Sequence, residues 1–541
     1  MTLFDFVKFD GQTAASRTFR KVSGIRGSVL LLGLSVAAFA GAHSVAAETL
    51  PPALKRPIAH FSHDTVVEEA RTLANKPFVA PTPRDEDPAK ELAATYDEYR
   101  MARFRPDAAI QLDTVGKYRL QLLPTAWIHN EEVKLALVAN GVAEPVRADP
   151  DMFDWGPLKK VAAFSKGVPL SGFRINGPLN SPDVNDEIIV FQGASYFRAL
   201  SRGQVYGISA RGLALRTGAI GGEEFPRFTK FWIERPKADA DELVVHALLE
   251  SKSVAGAYLF KINPGDTTAI DIEATLFPRT EIAQIGLAPL TSMYLVSSSD
   301  RTRVSDFRPS VHDSDGLTIH NGSGEYLWRP LSNPRQIEIS MFQDDGPKGF
   351  GLEQRERKFP AYQDLEAKYH LRPSVWVEPK SDWGRGSVVL VELPTETEAN
   401  DNIVAFWRPD EPIPPGEAYR LAYRLSWPDT FRDTGPKVRV ARTMAGLSIG
   451  ADRDDGAVQF VIEYDGAEGL SDQVDILPTV KTSEGSHSKA QVQVNPEAGT
   501  LRVAFKFYPG ASETAELRVA LAGLQGGSET WLYRWTKGMH Q

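Results

Sequence analysis

The stretch Ala257–Phe277, which reads AYLFKINPGDTTAIDIEATLF, decides the fold class. It contains two apolar segments, Ala257–Ile262 and Thr268–Phe277, on either side of the turn sequence Asn263–Asp266. In the second segment polar residues alternate with apolar ones, which are Ile270, Ile272, Ala274 and Leu276. Alternation with a period of two is the pattern of a strand that buries one face. The stretch therefore predicts two β-strands joined by a turn.

Further strand signals and two helix signals lie elsewhere in the chain. Strands are predicted in Glu187–Leu200 (EIIVFQGASYFRAL) and in Leu243–Leu249 (LVVHALL). Helices are predicted over Asp64–Asn75, where apolar residues recur at helical spacing, and over Pro88–Arg103. The 43 glycines and 37 prolines indicate many turns. We therefore expect a mostly β protein that begins with short helices.

A proline-rich segment, Pro409–Gly416 (PDEPIPPG), predicts a domain boundary, because it can neither continue a helix nor lie inside a sheet. Short alternating strands follow it at Val458–Tyr464, Leu501–Tyr508 and Glu516–Leu521, which is typical of a β-sandwich. The expected organisation is an N-terminal domain at residues 58–408, a linker at 409–416 and a C-terminal sandwich at 417–541.

Residues 1–47 have the organisation of a secretory signal peptide. Basic residues between Arg17 and Arg26 precede the apolar run Val29–Ala42, and Val45–Ala47 supplies small residues for cleavage. The alternative is an uncleaved membrane anchor, but the run is shorter than the roughly 18 residues that a spanning helix needs. We expect cleavage and export.

The composition excludes several classes of protein. The chain has no cysteine, which excludes thiol nucleophiles, thiolate metal sites and iron–sulfur clusters. The formal net charge of −9 argues against a nucleic-acid partner, because phosphate binding needs clustered lysine and arginine. A neutral polymer is compatible with this charge.

Two short motifs are only weak evidence for a catalytic serine and for a calcium site. Gly446–Gly450 matches the serine-hydrolase pattern G-x-S-x-G, but the loop-like ADRDDG follows it where the pattern needs a helix, so Ser448 is not expected to be a nucleophile. His312–Gly316 (HDSDG) resembles part of a calcium loop, yet the twelfth position counted from Asp313 is Gly324 and not a glutamate. The plainer interpretation is that these acids cap a turn, and no metal is predicted.

Two segments, 321–330 (NGSGEYLWRP) and 369–383 (YHLRPSVWVEPKSDW), concentrate aromatic residues beside charged ones. An aromatic face can cover a sugar ring while charged groups bond its hydroxyls, but ordinary core packing explains such residues equally well. Asp401 leads into the apolar segment Asn402–Trp407. Its carboxyl is either partly desolvated and suited to acid chemistry or simply the residue at a strand start.

Many long segments in order carry a resemblance to a known family. They are GASYFRAL, GQVYGISARGLA, EEFPRFTKFWIERPK, APLTSM, HDSDGL, GEYLWRPL, GFGLEQRER, LRPSVWVEP, WGRGSVVLVELPTETEANDNIVAFW and SETWLYRW. Together they resemble the bacterial glucans biosynthesis proteins G and D, and the wording is closer to protein G. The resemblance covers nearly all of the chain after the leader.

The resemblance implies a periplasmic protein that is needed to make osmoregulated periplasmic glucans, whose backbone is β-1,2-linked glucose. It implies a large N-terminal β-sandwich of the galactose-mutarotase type and an immunoglobulin-like C-terminal domain. It also implies a homodimer in which a C-terminal loop, Arg439–Gly456 in this chain, reaches the partner. No cofactor is expected.

Some family members are inverting β-1,2-glucanases, and at least one type is a transglycosylase. The resemblance implies that Asp401 is the general acid and Asp313 the general base, and that Tyr369 contacts substrate. Weaker substrate-contact predictions from the aromatic and charged context are Trp328, Arg329, Glu325, Arg372 and Trp383. Two functions stay open: a β-1,2-glucan hydrolase or transglycosylase, and a non-catalytic factor that binds glucan beside the membrane glucan synthase.

Overall fold

The computed structural model describes residues 60–80, 96–99, 101–156, 167–297, 304–431, 435–448, 456–467 and 476–539. The described residues are mostly β, as predicted. The leader at residues 1–47 lies outside them. Among them, no helix is both long and apolar enough to cross a membrane.

The helices and strands are numbered in chain order. Helix α1 covers His63–Ala74 and α2 covers Tyr96–Tyr99. The first strands are β1 Arg103–Phe104, β2 Ile110–Gln111, β3 Arg119–Pro124, β4 Lys134–Ala139, β5 Val142–Pro145, β6 Phe153–Asp154, β7 Leu170–Gly177, β8 Asp186–Gln192, β9 Tyr196–Ala199, β10 Ser209–Arg211, β11 Ala214–Leu215, β12 Arg227–Glu234, β13 Leu243–Glu250, β14 Val254–Asn263, β15 Thr268–Pro278 and β16 Ile285–Ser292. Next come β17 Tyr294–Val296, β18 Val311–His312, β19 Gly316–His320, β20 Tyr326–Pro330, β21 Glu338–Asp345, β22 Gly349–Glu353, β23 Val375–Pro379, β24 Arg385–Glu392, β25 Ile403–Pro409 and β26 Tyr419–Trp427. The last strands are β27 Arg439–Leu447, β28 Val458–Asp465, β29 Leu477–Thr482, β30 Ser486–His487, β31 Gln491–Asn495, β32 Thr500–Tyr508, β33 Thr514–Ala522 and β34 Thr530–Thr536.

Two large sheets enclose the main hydrophobic core. One has eleven strands, with β16, β25 and β24 side by side near one end. The other has fourteen strands, in the order β29-β33-β34-β20-β19-β22-β23-β26-β15-β14-β13-β12-β4-β5. Buried side chains from both sheets form one cluster, including Phe173 and Trp407 from the first and Phe260 and Ile272 from the second. This is a β-sandwich arrangement.

The predicted strand pair is confirmed. Strands β14 and β15 pair antiparallel from Val254 opposite Pro278 to Asn263 opposite Ala269. The predicted strand at Glu187–Leu200 forms two strands, β8 and β9, because the chain turns between them at Gly193 and Ala194, both with positive φ. Leu243–Leu249 lies in β13, as predicted.

The first predicted helix is confirmed and the second only in part. Helix α1 packs on the large sheet through Val66 and Ala70, which contact the apolar cluster formed with β13–β15. Within the predicted helix at Pro88–Arg103, residues 88–95 lie outside the described part of the chain. The described remainder contains α2, and Arg103 begins strand β1, where it pairs with Asp154.

The change of core comes later than the predicted boundary at 409–416. Strand β26 follows the proline-rich segment, yet it pairs with β15 on one side and β23 on the other. Its buried residues Leu421 and Tyr423 belong to the main core. A second core begins with Val438 and lies between the five-stranded sheet containing β28 and β32 and the end of the large sheet containing β33 and β34. One further strand of the main core, β26, therefore follows the predicted boundary.

Candidate functional site

Asp313 lies in a tight connection between β18 and β19. Its backbone N–H donates to the carbonyl of Met293 at 2.8 Å, and its side chain is buried. The carboxylate forms an ion pair with the guanidinium of Arg372. Burial raises the pKa of Asp313 above its ordinary value, Arg372 opposes this shift, and the nearby charge of Asp401 adds to it.

The connection that carries Asp313 is fixed by Gln354. Gln354 Nε2 donates to the carbonyl of His312 at 2.9 Å and to the carbonyl of Tyr369 at 3.2 Å. His312 Nδ1 lies 2.9 Å from Gln354 Oε1. Asp315 accepts the backbone N–H groups of Arg355 and Glu356, so this acid binds the segment that follows β22 rather than capping a turn of its own. One buried amide thus ties the segment of Asp313 to that of Tyr369.

Asp401 is partly exposed and lies directly before strand β25. The next residue, Asn402, is buried and anchors this point of the chain. Asn402 Oδ1 accepts the N–H of Tyr294 at 2.8 Å, and its Nδ2 donates to the carbonyls of Tyr294 at 3.0 Å and Leu393 at 2.9 Å. Because β25 pairs with both β16 and β24, the backbone next to Asp401 is held in place from both sides.

Tyr369 and Arg372 lie together on one 3₁₀ turn and its end. The Arg372 guanidinium lies 4.1 Å from the centre of the Tyr369 ring, which is a cation–π distance. The Tyr369 hydroxyl donates to Glu398 Oε2 at 2.6 Å. Burial and then this hydrogen bond raise the pKa of Tyr369, so the group stays a neutral donor. The structure therefore brings Asp313, Arg372 and Tyr369 into contact, and we call these three with Asp401 the aspartate site.

Sequence reasoning did not assign Tyr196, Arg198 and Arg211, whose charges or rings act on the two aspartates. Arg211 forms an ion pair with Glu223 at 2.7 Å, both side chains being buried, and its guanidinium lies 4.6 Å from the centre of the Tyr196 ring. The charge of Asp401 acts on both Arg211 and Tyr196, and burial raises the pKa of Tyr196 to about 12. Arg198 lowers the pKa of Asp313. The signal was present in the segments GASYFRAL and GQVYGISARGLA, which contain these residues.

Two predicted substrate contacts on β20, Trp328 and Arg329, are buried among other side chains of the protein. Trp328 belongs to the second core, and the guanidinium of Arg355 lies 3.4 Å from the centre of its ring. Arg329 is buried with Glu392, which it meets at 3.0 Å. Both side chains therefore have structural partners within the protein, and their contact with a substrate stays a prediction.

Trp383 and Glu325, the other two weaker predictions, also have partners elsewhere in the protein. Trp383 is buried in the main core against Trp407. Glu325 is bonded to the C-terminal strands, where it accepts the hydroxyl of Thr530 at 2.6 Å and pairs with Arg518. The aromatic segments of the sequence therefore supply mostly core and inter-strand contacts.

The two weak motifs have structural explanations. Ser448 follows strand β27, and its N–H donates to the carbonyl of Ala457 at 2.9 Å, which continues the pairing of β27 with β28. The proposed partner-reaching loop at Arg439–Gly456 is strand β27 up to Leu447, and residues 449–455 lie outside the described chain. Within the described ranges, no group of three or more acidic or histidine side chains is placed to hold a metal ion.

The fold and the site define a large β-sandwich protein with two neighbouring aspartates, one of them buried against arginine. Comparison with known families places it further: residues 61–535 match the family described as "Periplasmic glucan biosynthesis protein, MdoG", and the chain belongs to that family.

Curated relatives agree with this assignment. The chain is 47% identical over 479 residues to "Glucans biosynthesis protein G" of Vibrio cholerae, which covers 88% of this chain and 87% of the relative. It is also 47% identical over 477 residues to "Glucans biosynthesis protein G 1" of Shewanella oneidensis, with the same coverage. The predicted resemblance, closer to protein G, is confirmed.

One solved structure, a galactose mutarotase related enzyme from Lactobacillus acidophilus, covers 48% of this chain and 95% of its own. Its TM-score is 0.21 and its sequence identity 9%, so it carries no argument about this protein. The mostly β sandwich assignment rests on the strands and cores described above.

Proposed function

We propose that the protein works in the periplasm in the synthesis of osmoregulated periplasmic glucans, and that the aspartate site cleaves or transfers β-1,2-linked glucan. Membership of the periplasmic glucan biosynthesis family supports the wider role. The single observation that carries the chemistry is the buried ion pair of Asp313 with Arg372, which packs on Tyr369, whose hydroxyl in turn bonds Glu398 three residues before Asp401. Two carboxyl groups in unlike surroundings, one buried and one partly exposed, are what acid–base cleavage of a glycosidic bond requires.

In the proposed reaction, Asp401 donates a proton to the leaving glycosidic oxygen while Asp313 accepts a proton from the attacking water. The C1–O bond to the leaving sugar breaks as the water oxygen bonds to C1 from the opposite face, so the configuration inverts. The surroundings of Asp313 alone would suit either role, and the family resemblance assigns it as the base. Arg372 supports that role, because a neighbouring cation favours the ionised form that accepts a proton.

A second candidate function is non-catalytic binding of nascent glucan beside the membrane glucan synthase. The ion pair between Arg372 and Asp313 favours this alternative, because it occupies one oxygen of the proposed base. A protein that only holds glucan has no need to release that oxygen. The homodimer also stays a proposal.

The test is incubation of the purified protein with linear β-1,2-glucan, followed by mass analysis of the products. The catalytic proposal expects shorter or cyclised chains, and Asp401→Asn should form none of them while still binding glucan in calorimetry. Binding by the wild-type protein without any product would support the second candidate. Unchanged products from Asp401→Asn would remove Asp401 from the mechanism.

A further inference from the structure

One arginine beside the aspartate site contacts three carboxylates. Arg308 Nε and Nη2 meet the carboxylate of Asp306 at 3.1 and 2.8 Å, and its Nη1 meets Asp364 at 2.8 Å and Glu398 at 2.7 Å. The side chain of Arg308 is 12% exposed, those of Asp306 and Asp364 are 17% and 13% exposed, and that of Glu398 is 43% exposed. We call these four side chains the carboxylate clasp.

The clasp joins three separate segments, of which one leads directly into Asp313 and the other two contain members of the aspartate site. Arg308 lies in 304–312, five residues before Asp313. Asp364 lies in 359–372, five residues before Tyr369, and Glu398 lies in 393–402, three residues before Asp401. A single cation therefore links the chain positions of the predicted base, the predicted acid and the tyrosine between them.

The clasp also reaches the Tyr369 hydroxyl directly. The oxygen of Glu398 that accepts from Arg308, Oε2, is the same oxygen that accepts from Tyr369. Asp364 in turn uses its other oxygen to accept the N–H groups of Glu366 and Ala367 at 2.9 and 2.7 Å, which shapes the turn before Tyr369. Displacement of Arg308 would therefore move both the acceptor of the hydroxyl and the turn that carries it.

Electrostatics explains why one guanidinium suits this position. Three carboxylates around one point repel one another unless a cation lies between them. The hydrogen bond to Asp306 raises the pKa of Arg308 most, burial opposes this rise, and the hydrogen bonds to Glu398 and Asp364 add to it. The planar guanidinium offers several donors in a fixed fork, whereas a lysine ammonium is a compact point charge. A small apolar cluster including Val311, Tyr362 and Tyr369 also packs two of these segments together, 304–312 and 359–372.

We propose that Arg308 is a positioning residue that fixes the three segments relative to one another and so sets the geometry of the aspartate site. The kinetic part of this inference rests on the proposed function, whereas the structural part does not. Arg308 acts through Glu398 and Asp364 and does not itself react.

The structural part is tested by amide hydrogen exchange in the full-length protein. Arg308→Ala should accelerate exchange at least tenfold in segments 304–312, 359–372 and 393–402. Arg385→Ala is the matched control, because Arg385 is exposed and lies 3.9 Å from Asp410. Exchange within twofold of wild type in all three segments of Arg308→Ala would overturn the proposal, whatever the activity of the protein.

The kinetic part uses linear β-1,2-glucan. Arg308→Ala should lower kcat at least tenfold with KM changed less than threefold, since a misplaced acid or base affects the reaction more than the binding. Arg308→Lys should recover part of the loss, and kcat within twofold of wild type in Arg308→Ala would overturn this part. If wild-type protein forms no product, the proposed catalytic function is wrong. The hydrogen-exchange result then still tests whether Arg308 positions the three segments.

A second variant covers the case in which Arg308→Ala does not fold. Glu398→Gln keeps an acceptor for the Tyr369 hydroxyl but removes the ion pair with Arg308. It should accelerate exchange in 359–372 and 393–402, and unchanged exchange in both would overturn the clasp.

Discussion

Replacement of Glu353 by glutamine should destabilise the fold by about 3–5 kcal/mol, which is the typical cost of breaking a buried ion pair. The Glu353 side chain is buried, and its oxygens accept from Arg439 at 2.9 and 2.8 Å and from Arg355 at 2.9 Å. Both arginines also bond Glu529, which is equally buried. These two carboxylates and two guanidiniums balance in charge, and glutamine would leave one cation in excess.

The pKa of Glu353 gives a second figure for the same interaction. Burial alone would raise it, but Arg355 and then Arg439 outweigh burial and hold the pKa at about 2, against 4.5 in the unfolded chain. Each unit is worth about 1.4 kcal/mol, so the charged form contributes about 3 kcal/mol to folding. Because the folded pKa is the lower one, this stability is present above pH 4.5 and is lost as the pH falls towards 2.

The measurement is urea unfolding followed by tryptophan fluorescence at pH values from 7 to 3. Glu353→Gln should be destabilised at pH 7 and should lose less further stability than wild type as the pH falls below 5. The control is Glu378→Gln, which removes an exposed pair with Lys380 and should change stability by less than about 1 kcal/mol. A loss below 1 kcal/mol for Glu353→Gln, or a pH dependence equal to that of wild type, would refute the reasoning.

Three further predictions follow from the packing and the site. Trp328→Ala should destabilise the protein by about 3–5 kcal/mol because it empties part of the second core, while calorimetry on folded protein should show glucan affinity within twofold of wild type; a larger loss of affinity would return Trp328 to the binding surface. Gly316→Ala should lower the free energy of unfolding by about 1–3 kcal/mol in a denaturation experiment, because its new Cβ would lie 2.3 Å from the Trp328 ring. The control Gly446→Ala places its Cβ in open space and should be nearly neutral. Equal effects of the two variants would contradict this packing. Arg372→Gln should move the acid limb of the kcat/KM pH profile upwards, since Arg372 lowers the pKa of Asp313 and its loss leaves the base protonated to higher pH; a downward shift would contradict the assigned role.

Short stretches of sequence were enough to predict the helices and strand pairs that neighbouring residues determine. The β14–β15 pair was predictable because a turn sequence separates two strands of matching alternation, and α1 was predictable from its apolar spacing. The aspartates could be singled out from motifs, and the ion pair of Asp313 with Arg372 is visible only in the structure.

Features that depend on distant residues were not predictable in the same way. The proline-rich segment at 409–416 does end a strand, but β26 returns to the large sheet because β15, some 150 positions earlier, offers it an edge. Composition could not separate a sugar-binding tryptophan from a core one, and Trp328 and Trp383 proved to be core residues. The three partners of Arg308 lie on separate segments, so no local pattern marks them.

The most direct test of the central claim is time-resolved NMR of the anomeric protons during incubation with linear β-1,2-glucan. The account predicts that wild-type protein releases new reducing ends first as the α anomer, because attack from the face opposite the leaving group inverts the β configuration. Asp401→Asn should release none. First appearance of the β anomer, or equal release by Asp401→Asn, would contradict the assignment of Asp313 and Asp401 as an inverting pair.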